Sequence, residues 1–138
     1  MIAFIDTNIW VYAVDEREPA KQFKAKNYIT KINQTHTIAL STQVMQEFFS
    51  ATTRSGKSLL APDVAIKHME KMSGLQVMES NAQSVMAATS LMREHKLSWW
   101  DSLILEAAIR AKADVLASED GQAGRKFGRL RVENPFVV

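Results

Sequence analysis

The chain contains no cysteine, which excludes disulfides, a thiolate nucleophile and a thiolate zinc site. Its three histidines, His36, His68 and His95, lie far apart with no His-x-x-x-His spacing, so a histidine-based metal centre is not expected. No apolar run approaches the ~20 residues needed to cross a membrane. The first residues carry no basic segment and meet Asp6 too early for a signal peptide. These absences predict a cytoplasmic protein. The net charge is only +2, too small to imply a polyanion partner by itself. The 46% apolar and 23% charged residues suit a globular protein with a real core, and 138 residues suit one domain, 1–138.

Short apolar runs alternate with helical segments. Residues 2–5 read as a buried strand, followed by a turn at Thr7-Asn8 and a short helix within Ile9 to Val14. Pro19 suits the first turn of a helix reaching about Ile32. A second strand is expected at 37–40, then a helix over roughly 43–54 capped by Ser41 or Thr42. Pro62 and Asp63 open another helix, which Gly74 ends. A strand at 75–79 precedes a capping box, Ser80-x-x-Gln83, and a helix to about His95. A second box, Ser98-x-x-Asp101, opens a long apolar helix through Lys112. Strands at 114–118 and 129–132 complete the chain. Such alternation predicts an α/β domain with a mainly parallel sheet, whose ligand site lies at the carboxyl ends of its strands.

Four acids interrupt apolar surroundings: Asp6 after "AFI", Glu47 within "VMQEFF", Asp101 after "WW" and Asp120 after "VLASE". Each has a structural explanation of its own, as strand end, solvent-facing helix residue, capping partner or turn residue. Together they suggest convergence. Carboxylates among large apolar residues are unfavourable unless paired or coordinated. Hard Mg²⁺ or Mn²⁺ prefers such oxygen ligands, which suits a chain without thiols or clustered imidazoles.

The order IDTN, QEF, LSWWDSLI, LASED and NPF resembles the PIN domain family, and within it the VapC-like toxins. The resemblance runs from Ile2 to Phe136 and is weakest over about 56–80. It implies a three-layer α/β/α sandwich around a short, mainly parallel sheet. It also implies that Asp6, Glu47, Asp101 and Asp120 bind Mg²⁺ or Mn²⁺ and hydrolyse RNA phosphodiesters, with Asn8 and Ser118 in support. Glu119 competes with Asp120, but strand alternation puts Ser118 and Asp120 on one side. A cognate antitoxin and a homodimer are implied by resemblance alone. The competing readings are a binding or assembly module without turnover and a metal-dependent phosphatase on small substrates.

Water attacking in line would leave the substrate's 2′-hydroxyl unused and place a 5′-phosphate on the product. With four acids committed to a metal, 17 Lys and Arg exceed the remaining acids by six. Lys21, Lys24 and Lys26 form one basic cluster. Arg125, Lys126, Arg129 and Arg131 form another and are candidate phosphate contacts. Trp99 and Trp100 are candidates for either packing or base stacking. "ATTRSGKS" ends like a phosphate-binding loop, but Ala51 stands where its first Gly is needed and a helix precedes it. Asn8 replaces the second acid of an Asp-x-Asp phosphatase motif.

Overall fold

The computed structural model describes every residue except Ser55, Lys57, Asp120, Gly121 and Val138. Its elements, in chain order, begin with β1 (Ile2–Ile5), α1 (Thr7–Tyr12), α2 (Pro19–Ile32) and β2 (Thr37–Ser41). They continue with α3 (Thr42–Thr53), α4 (Pro62–Ser73), β3 (Gln76–Met78) and α5 (Ala82–His95). Last come α6 (Trp99–Arg110), β4 (Val115–Ala117), β5 (Lys126–Phe127) and β6 (Leu130–Glu133).

The strands form one sheet in the order β3-β2-β1-β4-β6-β5, parallel throughout except for the β5–β6 hairpin. Apolar strands of this kind need cover on both faces. Alternation along them divides the core accordingly. Phe4, Ala39, Leu116 and Val132 face a cluster that includes Val44, Phe48, Ile104, Leu105 and Ala108 of α3 and α6. Ile5, Ile38 and Ala117 face the other way, against Ile9 of α1 and Ala25, Tyr28, Ile29 and Ile32 on and around α2. The sheet is therefore flanked by helices on both faces. From β1 the chain first moves outward to β2 and β3. It later returns to the other side as β4 and β6. The strand order thus reverses between β1 and β4, where α/β sheets open a ligand crevice.

The expected elements all form, with four local differences. The helix after β1 starts at Thr7, where a turn was expected, because Asp6 caps it directly. The capping box of α5 uses Asn81 and Ser84, with Ser84 N–H donating to Asn81 Oδ1 at 2.8 Å. Ser80 and Gln83 are not its members. The α6 helix stops at Arg110, short of Lys112, whose φ of 59° departs from the helical region. Finally, β5 was not expected. It pairs with β6 through Gly128-Arg129, and Gly128 has the positive φ (63°) that the first central position of a II′ hairpin requires.

Asp114 ties the amino ends of β1 and β4 together, since its Oδ2 accepts the Ile2 N–H at 2.9 Å. That bond, followed by the charge of Arg129, holds its carboxyl below the ordinary value of 3.8. A depressed folded-state pKa contributes stability above the unfolded-state value and loses it as pH falls through the folded one. Asp114→Ala should lower the melting temperature by a few degrees at pH 7, and the gap to wild type should close progressively below about pH 4. Melting curves between pH 7 and pH 2 test this; a gap independent of pH refutes the linkage.

Candidate active site

Asp6 occupies the end of β1, beside the strand-order reversal. Its N–H donates to the Ala117 carbonyl at 3.0 Å, carrying the β1–β4 ladder one residue further. Its carboxylate accepts at both oxygens. Oδ1 takes the Thr7 N–H at 2.7 Å, which caps α1, and Oδ2 takes the Ser118 hydroxyl at 3.2 Å. Ser118 is 2% exposed and fixed in turn by its N–H, which donates to the Glu133 carbonyl at 2.9 Å. Trp10 braces the same strand end, its indole N–H donating to the Ile5 carbonyl at 3.0 Å.

Glu47 reaches the site from α3. The buried Thr7 hydroxyl donates to its Oε1 at 2.6 Å, and Gln43 Nε2 donates to Oε2 at 3.3 Å. Thr7 therefore links the two acids, its backbone serving Asp6 and its side chain Glu47. Asp101 enters from the first turn of α6, where its N–H donates to the Ser98 hydroxyl at 3.2 Å. Among the described residues its carboxylate takes up no reciprocal capping bond, so only half of the expected box forms.

Asp6, Glu47 and Asp101 line one open cleft of about 380 Å³, together with Thr7, Asn8, Gln43, Arg54 and Trp100. Asp6 and Asp101 also border a smaller inner pocket with Ser118, Gln122 and Phe127. Three sequence-predicted acids thus share one concavity, with Asn8 on its lining and Ser118 in the adjoining inner pocket. Among the described residues no three His, Asp or Glu side chains stand close enough to cage a metal ion. Asp120 lies outside the described residues.

Glu119 turns toward α2. It pairs with Lys21, whose ammonium also donates to the Tyr12 hydroxyl at 3.2 Å and lies 4.5 Å from the centre of that ring. The hydrogen bond to Glu119, then that to Tyr12, raises the Lys21 pKa above its ordinary value.

The four basic residues near the C-terminus separate. Arg125 donates to Gln122 Oε1 at 2.8 Å and to the His95 carbonyl at 3.0 Å, and covers the Phe127 ring. Arg129 bonds the Lys112 carbonyl at 2.8 Å beside Asp114, and Arg131 pairs with Glu133. Arg131 stands opposite Val115, so it and Arg129 lie toward the amino ends of the parallel strands, away from Asp6. Lys126 is exposed.

Sequence reasoning missed Thr7, Gln43 and Arg54. Gln43 and Arg54 were detectable as the positions four before and seven after Glu47, hence on its side of the helix. Thr7 gave no signal, because its role depends on α3 crossing α1.

A model of the PIN domain matches residues 3–128. Similar solved folds include VapBC2 from Rickettsia felis bound to a promoter DNA fragment, at 23% identity and a TM-score of 0.69, covering 97% of this chain and 98% of that one. A toxin–antitoxin complex from Klebsiella pneumoniae is similar over 99% of each chain, at 17% identity and a TM-score of 0.71. The VapC20 toxin of Mycobacterium tuberculosis, which cleaves the sarcin-ricin loop, is 15% identical over 86% of this chain and 90% of its own, with a TM-score of 0.67. No curated protein matches the sequence.

The Thr7–Glu47 bond has a measurable weight. Thr7→Val keeps the shape and removes the donor, which should destabilise the fold by about 1–2 kcal/mol in urea unfolding. Thr7→Ser should recover most of that loss. Equal stability of all three proteins would mean that Thr7 does not hold Glu47.

Proposed function

Because the chain belongs to the PIN domain family, we propose that it is a metal-dependent endoribonuclease and the toxin of a toxin–antitoxin pair. The observation that carries this reading is the shared cleft of Asp6, Glu47 and Asp101, contributed by β1, α3 and α6. Its carboxylate donors are all oxygen, as Mg²⁺ or Mn²⁺ prefers. Neither Glu47 nor Asp101 forms an ion pair with a described residue. Mg²⁺ is commonly held by one or two carboxylates, with water and substrate phosphate completing its shell. The donor set therefore fits without a closed protein cage.

Asp6, Asp101 and Asp120 would hold the ion, with Glu47 as a further ligand or as the group orienting the attacking water. When bound, the ion supplies a more acidic water and charge stabilisation on the phosphoryl oxygens. The chain's own residues do the rest. Ser118 and the Thr7 N–H keep Asp6 aimed, and Thr7 and Gln43 fix Glu47 so that it can take the water's proton. Asn8 edges the same cleft. Hydrolysis breaks the bond from phosphorus to the 3′-oxygen, leaving a 5′-phosphate and a free 3′-hydroxyl. Of the four basic residues near the C-terminus, Arg125 is best located for phosphate contact, being anchored to Gln122 at the inner pocket. An antitoxin, a homodimer and a cytoplasmic location belong to the same reading; no described helix is long and apolar enough to cross a membrane.

EDTA should stop cleavage of single-stranded RNA, and added Mn²⁺ should restore it. Mn²⁺ at a hundredfold excess over its Kd should stabilise the fold by about 2.7 kcal/mol. Asp6→Asn preserves the cap while removing charge, so metal-free stability should be unchanged or higher. The same substitution should reduce cleavage by at least about a hundredfold, exceeding losses usual for outer-shell partners. Asp120→Asn should behave alike. Cleavage that survives thorough chelation, or full activity in Asp6→Asn, rejects the proposal.

A further inference from the structure

One face of α3 is mainly polar and turns away from the core that its other face helps to form. Gln43, Glu47 and either Ser50 or Ala51 follow one another at intervals of three or four residues along α3, Arg54 follows as its C-cap, and all line the cleft. Val44, Phe48 and Thr52 on the opposite side are buried. Glu47 and Arg54 are seven residues apart, so roughly 10 Å of helix separates them along one face. Ser50 and Ala51 lie between them and keep that floor low.

Arg54 is the only basic residue lining the cleft among the described residues, and it is exposed. It forms no ion pair with a described residue. Trp100, adjacent to Asp101 on α6, lines the same cleft and is 62% exposed. It belongs to neither core cluster. Its companion Trp99 is half-buried. A large indole held open to solvent beside the acids presents a flat face on which a planar apolar partner can stack. A nucleobase is such a partner, and its backbone phosphate suits a free guanidinium.

We infer that Trp100 and Arg54 form a nucleotide subsite, in which Trp100 stacks on one unpaired base and Arg54 takes a phosphate further along α3. Only an unpaired base exposes its face for stacking, so the subsite selects RNA that is single-stranded or looped at this position. This rests on the nuclease reading for its substrate, but it concerns binding and needs no turnover.

The test uses the full chain in EDTA, with a labelled single-stranded RNA of about twelve nucleotides and the same RNA annealed to its complement. Fluorescence anisotropy should show preference for the single strand. Trp100→Ala should weaken single-strand binding roughly ten- to a hundredfold, the range for losing one stacked base, while Trp100→Phe stays nearer wild type. Arg54→Gln should flatten the plot of log affinity against log salt by about 0.7, one phosphate contact. Melting curves confirm that the variants are folded. Wild-type affinity in Trp100→Ala overturns the subsite. So does self-association lost with RNA affinity unchanged, which makes Trp100 a protein contact. RNA bound through Trp100 without cleavage in Mn²⁺ keeps the subsite and rejects the nuclease; no RNA binding by wild type in EDTA, with cleavage in Mn²⁺, rejects the subsite alone.

Discussion

The architecture turns on a single carboxylate at the end of β1. Asp6 contributes its N–H to the β1–β4 ladder, one oxygen to the first turn of α1 and the other to Ser118 beyond β4. A carboxylate at a sheet end would be unfavourable if left among apolar residues, yet here both oxygens are met by donors that the fold itself supplies. Sheet register, helix start and site geometry are therefore one constraint. Moving β4 by one residue would turn its side chains to the opposite face and carry Ser118 away from Asp6.

The neighbouring acids are positioned by longer routes. Glu47 depends on α3 packing its buried Val44 and Phe48 against the sheet, which turns the opposite face toward α1. There the Thr7 hydroxyl meets it. Asp101 depends on α6, whose buried Ile104, Leu105 and Ala108 seat the helix on the same face of the sheet. Its capping serine fixes where that helix begins. A half-formed box suits the site, because a carboxylate folded back onto its own helix start would be less available to a ligand.

The legible parts of the sequence were those governed by short-range rules. Unbroken apolar runs located the strands, Pro19 and Pro62 marked helix starts, and Ser41 and Ser98 served as caps. Asp6, Glu47 and Asp101 stood out because each interrupts an apolar stretch. The illegible parts were decided by competition or by distance. Ser80 and Asn81 both precede the α5 helix, and Asn81, the residue next to its first turn, holds the capping position. The α6 helix ended at Arg110 without a glycine, and Lys112, two residues beyond, takes the left-handed region that a glycine would ordinarily mark. The basic residues near the C-terminus looked like one patch because they are close in sequence. The β5–β6 hairpin sends them to different ends of the sheet, and three of them engage local acceptors.

Glu119, the acid that competed with Asp120 in the sequence, has a partner of its own on the α2 side. Sequence alternation set Glu119 apart from Ser118, and Lys21 supplies the physical reason for keeping it there. Its ammonium lies among Glu119, the Tyr12 hydroxyl and the rings of Tyr12 and Phe136. Asn134 adds a bond to the Glu119 carbonyl at 3.2 Å. A Glu119 carboxylate neutralised on the α2 side adds no negative charge to a cleft that already holds three acids. This matters because like charges in one concavity oppose each other's ionised forms. The fold thus limits the repulsion within the cleft by giving Glu119 a lysine of its own.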